Sequence, residues 1–325
     1  MTTNMNRRRF IGSAVAAAAA MAPAPVISEQ SQQSEAAASF TWPMRISVFS
    51  YSFRGLLREG RMNVFGYLET CKYRYNLQAA DLWNSGSGFL ASMEESYLKK
   101  VRDAYEERAM VCPALAVDGA HVWSDDANGR EKRHQVALAH LKAAAIIGAR
   151  FVRFDAGGSG SEWSNEAFDF IVKRYKEYCQ IAYDNGFKMG PENHGGPEAY
   201  ISSLKKLMDA VDHPGLGLSH HLDGFRGTPE EKRAADKEAA KWTCATHIPW
   251  NVTESGLLVE RMTFLRDAGY QGYYSVEHHT GRDEYAEVAI QLAKVRAVLE
   301  SFRTGGTGGS LGPRTHRRGQ VSPVK

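Results

Sequence analysis

The stretch Gly186–Gly196, GFKMGPENHGG, contains a helix end, a short apolar strand and a tight turn. Gly186 closes an amphipathic segment, where a residue without a Cβ atom forms a left-handed cap most easily. The following residues, Lys188–Glu192, predict a strand that ends in a carboxylate. Gly195 and Gly196 then turn the chain away from the strand. This order of helix, strand and polar strand end is typical of one unit of an alternating α/β fold.

The same unit recurs along the whole central part of the chain. Strands are predicted at Arg45–Phe49, Ala79–Trp83, Met110–Val117, Phe151–Phe154, Lys188–Glu192, Gly215–His221, Thr243–Ile248 and Gly272–Glu277. Helices are predicted at Met62–Tyr75, Ser92–Glu107, Glu131–Ile147, Asn165–Asn185, Glu198–Val211, Pro229–Trp242, Ser255–Ala268 and Asp283–Phe302. Eight such pairs over about 250 residues predict an α/β fold of the (β/α)₈ TIM-barrel class. A doubly wound sheet is the alternative, but no Gly-x-Gly-x-x-Gly follows the first strand.

The two ends of the chain differ from this repeating part. Residues 1–38 are predicted to be an export signal and a flexible linker, residues 39–303 the catalytic barrel, and residues 304–325 a disordered tail rich in Gly, Arg and Pro. The segment Arg7–Ile11, RRRFI, precedes an Ala-rich run that is too short to span a bilayer. It resembles a twin-arginine signal, which implies periplasmic export of a folded protein. An ordinary secretory signal is the alternative.

Charge and cysteine content restrict the class of protein. The formal net charge is +3, but the excess basic residues lie in the two terminal segments, so the central part is slightly acidic. Such a surface disfavours a nucleic-acid partner. The four cysteines form no Cys-x-x-Cys pair, and we expect them to be buried free thiols.

Metal-binding side chains follow the last four predicted strands. Strand five ends at Glu192, strand six at His220-His221, strand seven at His247 and strand eight at Glu277. Six of the eleven histidines lie at these four junctions: His194, His220, His221, His247, His278 and His279. The site of a TIM barrel lies at the carboxyl ends of its strands, so these residues are the candidates for chemistry.

Alternation along each strand predicts which side chains face the barrel interior. In Gly215–His221, the small residues Gly217 and Ser219 share a face with His221, and two leucines share the opposite face with His220. The crowded interior suits the small residues, so His221 is the predicted inward group. By the same count Glu192, His247 and Glu277 also point inward, each preceded by a small residue two positions earlier.

Two carboxylates and two imidazoles suit a divalent transition ion, such as Mn²⁺, Co²⁺ or Zn²⁺, better than Ca²⁺ or Mg²⁺. Such an ion, bound to adjacent carbonyl and hydroxyl oxygens of a sugar, stabilises an enediolate. A nearby carboxylate can then remove and return the proton next to the carbonyl. One strand-end Glu or His alone is more often a solvated residue than a ligand, but four at neighbouring strand ends favour a metal site.

Several segments also resemble a known family. They are GARFVRFDAGG, GFKMGPENHGG, HPGLGLSHHLDGF, the His247 strand and GYYSVEHH. Together they resemble the xylose-isomerase-like sugar isomerases and epimerases over residues 43–303. The resemblance implies that Glu192, His221, His247 and Glu277 hold the metal and that the two glutamates exchange protons with the substrate. His221 stands where the family usually has Asp, which puts the preferred ion and the reaction in question.

Four further residues are predicted to contact the sugar or to support the metal ligands. Asp81 occupies the place of an acid that the family often has on strand two, and Trp83 beside it offers an aromatic face. Packing explains Trp83 equally well. Asp155 precedes two glycines after strand four, and His194 follows Glu192. His121 and Trp123, after strand three, are expected to be loop residues.

The sequence therefore predicts a metal-dependent sugar isomerase or epimerase. Two alternatives remain: a lyase or hydratase acting on oxidised 3-keto-glycosides, which fits an exported enzyme, and a sugar-binding barrel without activity. The expected partner is a small sugar. No nucleic acid and no stable membrane span are expected, and the resemblance allows a homo-oligomer.

Overall fold

The computed structural model describes residues 44–84 and 88–304. The predicted export signal and linker, residues 1–38, lie outside the described residues, and so does the predicted tail beyond Thr304. Among the described helices, none combines the length and the apolar character needed to cross a membrane.

All eight predicted strands are present and each is parallel to its neighbours. They are β1 (Ile46–Val48), β2 (Leu82–Asn84), β3 (Leu115–Val117), β4 (Phe151–Arg153), β5 (Lys188–Gly190), β6 (Leu218–His221), β7 (Thr243–Pro249) and β8 (Tyr274–Glu277). Most of them are shorter than the apolar runs that predicted them. The regular hydrogen-bonded ladder occupies only part of most runs, whereas β2 and β7 each extend one residue past the predicted end.

The strands form a closed ring. One four-stranded sheet has the order β1-β8-β7-β6 and a second has the order β2-β3-β4-β5. Isolated parallel bridges join them, between Phe49 and Asp81 on one side and from Met189 to Leu216 and Glu192 to Ser219 on the other. The alternating pattern thus closes as the predicted barrel, and every carboxyl strand end faces the same rim.

Helices surround the ring. They are α1 (Arg54–Arg58), α2 (Val64–Glu69), α3 (Glu95–Glu107), α4 (Ala127–Ile147), α5 (Asn165–Asp184), α6 (Ile201–Val211), α7 (Pro229–Ala239), α8 (Trp250–Glu254), α9 (Leu258–Asp267) and α10 (Glu284–Arg303). The predicted helix Met62–Tyr75 is α2 followed by a π-helical turn at Thr70–Arg74. The short helices α1 and α8 were not predicted, because five residues are too few to show a helical period.

Buried side chains on the outer faces of the strands pack against the helices and form one continuous core. Tyr67 from α2 is fully buried, and its hydroxyl donates to the carbonyl oxygens of Val48 (2.6 Å) and Asp81 (2.8 Å). One side chain thereby ties the helix shell to the junction between β1 and β2. Such contacts fix the relative positions of the strand ends that carry the polar residues.

Candidate active site

A cavity of about 270 Å³ opens at the carboxyl ends of the strands. Its lining combines the rings of one Phe, one Tyr and one Trp with three imidazoles and a set of charged groups. The lining residues are Phe49, Tyr51, Trp83, Asp118, Arg153, Glu192, His194, His221, Glu277 and His279. Three of the four predicted metal ligands line it directly, and the fourth, His247, stacks on Phe49 with ring centroids 4.0 Å apart.

Glu192, His247 and Glu277 form the centre of the site. Each offers a nitrogen or oxygen atom, and these atoms all lie within 4.8 Å of one another. The Nδ1 atom of His247 is 2.8 Å from the Oε1 atom of Glu192. All three side chains are buried because they extend β5, β7 and β8 inward at the rim. Residues that are 55 and 30 positions apart in sequence thus converge on one point.

His221 lies beside this centre. Its Nε2 atom is 3.3 Å from the Oε2 atom of Glu277, and its side chain is 16% exposed. Asn193 fixes its backbone, because the amide of Asn193 donates to the His221 carbonyl (2.9 Å) and accepts from the His221 N–H (2.8 Å). The neighbouring His220 points into the helix shell, 3.0 Å from both Asp236 and Thr243.

Two half-exposed imidazoles flank the carboxylates. The Nδ1 atom of His194 is 3.7 Å from Glu192, and the Nε2 atom of His279 is 3.4 Å from Glu277. Each of these side chains is more than 40% exposed, so both can meet a ligand in the cavity. His278, in contrast, is fully buried and lies 2.8 Å from Glu287 of α10.

Arg153 is the main residue that the sequence analysis missed. This buried guanidinium lies 2.6 Å from Asp155, 2.8 Å from Asp118 and 3.3 Å from Glu192. Asp118 also accepts a hydrogen bond of 2.7 Å from the indole of Trp83. Alternation could have indicated Arg153, since it shares the inward face with Asp155. Arg153 thus contacts Asp155 and Glu192 directly, and Asp118 links it to Trp83.

The ionisation states follow from these contacts. Burial raises the pKa of Glu192, but electrostatic attraction, largest from His247, outweighs it, so its pKa lies well below the usual value. Burial also opposes ionisation of Glu277, but the imidazole of His221, 3.3 Å away, outweighs it and brings the pKa to about 2. For His247, burial is outweighed by the Glu192 carboxylate, which raises the pKa to about 9. Both glutamates are therefore ionised at neutral pH.

The donor set fits a divalent cation. Within the described chain, the buried Nε2 atom of His247 and the Oε2 atom of Glu277 have no hydrogen-bond partner. Buried polar atoms are normally paired, so orphaned atoms in one cluster indicate a missing partner. Two carboxylates and an imidazole in mutual reach are ligands that Mn²⁺, Co²⁺ or Zn²⁺ accept.

Asp81 was predicted to contact the sugar, but its side chain is buried away from the cavity. Its side chain is 2% exposed, accepts a hydrogen bond of 2.8 Å from Ser47, and does not line the cavity. The bridge between Phe49 and Asp81 holds it inside the barrel, below the metal ligands. The geometry therefore gives no support to a direct sugar contact by Asp81. It indicates a buried acid whose main effect is on stability.

Asp81→Asn should change the pH dependence of stability. Burial raises the pKa of Asp81 to about 6. Because the pKa of Asp81 is higher in the folded protein than in the unfolded chain, the neutral acid stabilises the fold fully below the unfolded-state pKa. This stabilisation is lost as the pH rises through the folded-state pKa. The free energy of unfolding of the variant, minus that of wild type, should therefore rise by about 1–3 kcal/mol between pH 4.5 and pH 8. Urea unfolding of EDTA-treated protein measures this gain, and a difference that does not change with pH would contradict it.

A larger cavity, of about 540 Å³, lies at the opposite ends of the strands. Arg150, Lys188 and Lys241 are its charged lining residues, and it contains neither a carboxylate nor an imidazole. It therefore lacks the carboxylates and imidazoles that would hold a divalent cation. The candidate active site is the smaller cavity at the carboxyl rim.

Solved structures share this architecture. The 3-keto-D-glucoside 4-epimerase from E. coli is 14% identical, with a TM-score of 0.64 over 78% of this chain and 99% of that one. A probable 3-DHS dehydratase from Bacillus anthracis is 16% identical, with a TM-score of 0.57 over 78% and 98%. A xylose isomerase-like TIM barrel protein from Mycobacterium smegmatis, in complex with magnesium, is 14% identical, with a TM-score of 0.63 over 80% and 97%. These identities establish a common fold only.

No curated protein matches the sequence significantly. The family model described as "Xylose isomerase-like TIM barrel" matches residues 74–295, which is more than half of the chain. The match contains seven of the eight strands and all four residues of the predicted metal site. The resemblance noted in the sequence is thereby confirmed, and the chain belongs to the xylose isomerase-like TIM barrel family.

Proposed function

We propose that the protein is a divalent-metal-dependent sugar isomerase or epimerase that moves a proton on the carbon next to a carbonyl. The observation that carries this proposal is the group formed by Glu192, His247 and Glu277, whose donor atoms lie within 4.8 Å of one another at the barrel rim. Two ionised carboxylates at one point can remove a proton and return it. The epimerases among the similar structures agree with this reaction type.

The residues have separate roles in this proposal. Glu192, His221, His247 and Glu277 would hold the ion, which polarises the substrate carbonyl and stabilises the enediolate when bound. Glu192 and Glu277 accept and return the proton. The aromatic rings of Phe49, Tyr51 and Trp83 pack against the apolar face of the sugar and exclude water. Arg153 and His247 hold the two oxygens of the Glu192 carboxylate in place.

A lyase or hydratase acting on 3-keto-glycosides is the second candidate. The half-exposed His194 and His279 favour it, because elimination or hydration needs an acid for a leaving or entering oxygen in addition to the base. The dehydratase with the same fold is consistent with this chemistry. The third alternative, a binding barrel without activity, would show metal and sugar binding without proton exchange.

The test is a screen for solvent deuterium. Metal-loaded protein is incubated in D₂O with free ketoses and with 3-keto-glycosides, and the sugars are analysed by NMR and mass spectrometry. Deuterium on the carbon next to the carbonyl supports proton abstraction. The products then distinguish an epimer from an elimination or hydration product. No exchange into any sugar by fully metal-loaded protein would contradict an isomerase, an epimerase and a lyase alike.

Adding metal should stabilise the folded protein. The orphaned donors of His247 and Glu277 gain a partner, and a ligand at 100 times its Kd stabilises a fold by about 2.7 kcal/mol. For a domain of this size, we expect the Tm of EDTA-treated protein to rise by about 5–10 °C with Mn²⁺, Co²⁺ or Zn²⁺. Differential scanning calorimetry measures the rise. His247→Ala should abolish it, and an equal rise in that variant would contradict the assignment.

We also propose that the protein is exported to the periplasm through its twin-arginine-type segment. The support is the sequence Arg7–Ile11 and the short apolar run that follows it. Replacing Arg7 and Arg8 with lysine should leave the protein in the cytoplasm, as cell fractionation would show. Unchanged export of the double variant would contradict this route.

A further inference from the structure

A second cavity, of about 400 Å³, lies on the same rim as the metal site. It is formed by the loops that follow β3 and β4 and by the first turn of α5. Its lining includes Trp123, Asp125, Arg133, Glu162 and Trp163. Neither the metal site nor the proposed proton transfer uses these residues.

The two cavities lie beside the same two strand ends, those of β3 and β4. The loop after β3 carries Asp118 of the metal cavity and Trp123 of the second one, and the backbone N–H of Trp123 donates to Ala156 at 2.7 Å. On the loop after β4, Asp155 binds Arg153, and Gly158 lines the second cavity. Gly158 follows Arg153 of the metal cavity by five residues, which span at most about 18 Å, so a ligand that extends out of the metal cavity along this loop points toward the second cavity.

The lining of the second cavity suits a sugar or another polar ring. The partly buried indole of Trp163 offers apolar surface, while the carboxylates of Asp125 and Glu162 are hydrogen-bond acceptors for hydroxyl groups. Glu162 is exposed and forms no ion pair or hydrogen bond with another described residue. The other polar groups are fixed: Trp163 donates to Gly157 (2.7 Å), and Arg133 donates to the carbonyl of Trp123 (2.8 Å). A ligand would therefore meet a preformed surface.

The size of the metal cavity also favours a second binding region for the substrate. Its volume of about 270 Å³ is below the range of about 300–1,000 Å³ that is common for ligand pockets. It accommodates one sugar ring beside the carboxylates. Any second ring attached to that sugar must lie outside it, and the second cavity is adjacent.

We propose that the second cavity is a subsite for the second ring of a glycoside, so that the natural substrate has two rings and not one. This inference rests on the proposed function of the metal cavity for the position of the reacting sugar. The reacting ring lies against Glu192 and Glu277, and the other ring lies between the loops that carry Trp123 and Trp163.

Calorimetric titration of Mn²⁺-loaded protein tests this proposal without turnover. The probes are matched methyl and phenyl glycosides of glucose, galactose and xylose in both anomeric forms, together with cellobiose and maltose. At least one two-ring compound should bind about tenfold more tightly than the methyl glycoside of the same sugar and anomer, which corresponds to 1.4 kcal/mol.

Two variants test whether the preference for two-ring compounds comes from the second cavity. Glu162→Ala and Trp163→Ala should each reduce the preference for the two-ring compound to less than about threefold, which is a loss of most of that 1.4 kcal/mol. The affinity for the methyl glycoside should stay unchanged. Glu162 is exposed, so its variant should fold even if the Trp163 variant does not. Glu166→Ala is the matched control, because Glu166 is an exposed acid in the first turn of α5, four residues after Glu162, but does not line the cavity.

Two results would overturn the subsite: two-ring glycosides that bind no more tightly than methyl glycosides, or a preference that survives both variants. The subsite would also be overturned if no two-ring glycoside binds. A clear preference that both variants reduce, in a protein that exchanges no proton with any sugar, would contradict the proposed reaction and leave the subsite supported.

Discussion

Glu192→Gln and Glu277→Gln should each reduce solvent-deuterium exchange and turnover by at least about 100-fold, the lower end of the usual contribution of a general base. Glutamine keeps the size of the side chain, and its oxygen can still accept the 2.8 Å hydrogen bond that His247 forms with residue 192. It cannot take up a proton. In wild type both carboxylates are ionised at neutral pH, since their pKa values lie below the usual range.

The measurement is the rate of deuterium incorporation at saturating metal, so that weaker metal binding does not lower the rate. Glu198→Gln is the matched control. Glu198 is also buried, but burial and the nearby Asp155 raise its pKa, which favours the neutral acid that glutamine resembles. That variant should keep most of its activity. Full exchange in both Glu192→Gln and Glu277→Gln would show that neither carboxylate moves the proton.

Gly190→Ala should prevent stable folding of the barrel. A Cβ atom at this position would lie 1.8 Å from the carbonyl oxygen of Gly217, a backbone atom that cannot move alone. Gly190 ends β5, is paired with Arg153 of β4, and lies two residues before Glu192. Overpacking in a core costs about 1–3 kcal/mol and occasionally more, and a clash between two backbones belongs at the upper end.

Urea unfolding measures this effect, and we expect the variant to lose about 3 kcal/mol or more of its free energy of unfolding, or to be insoluble. Gly195→Ala is the control, because a Cβ atom there has no neighbour within 4 Å and its φ angle of −142° suits any residue. A Gly190→Ala variant as stable as Gly195→Ala would contradict the close approach of β5 and β6.

The fold was predictable because each strand is an apolar run that a polar or glycine residue ends. That signal fixes the number and order of the strands. It does not fix the register between them, and Asp81 shows the consequence. The sequence places it on strand two as a sugar contact, but in the structure its partner is Ser47 of β1 and it does not line the cavity. Register depends on contacts between distant segments, which local periodicity does not contain.

The site was predictable where alternation within one strand decides the outcome. The same-face pattern of Gly217 and Ser219 predicts that His221 points inward, and the structure places His221 at the cavity and His220 in the helix shell. Arg153 was missed because its significance comes from its partners. They lie on three separate strand ends, and no single stretch of sequence shows that a cation is needed there.

Calorimetric titration of the EDTA-treated protein with Mn²⁺ tests the central claim most directly. Loss of a residue that only supports a ligand weakens metal binding about 10–100-fold, so loss of a ligand should weaken it at least about 100-fold. We expect one ion per chain in wild type and in His213→Ala, a histidine outside the site, and binding at least that much weaker in His247→Ala. No binding by wild type, or equal affinity in His247→Ala, would contradict a metal centre built from Glu192, His221, His247 and Glu277.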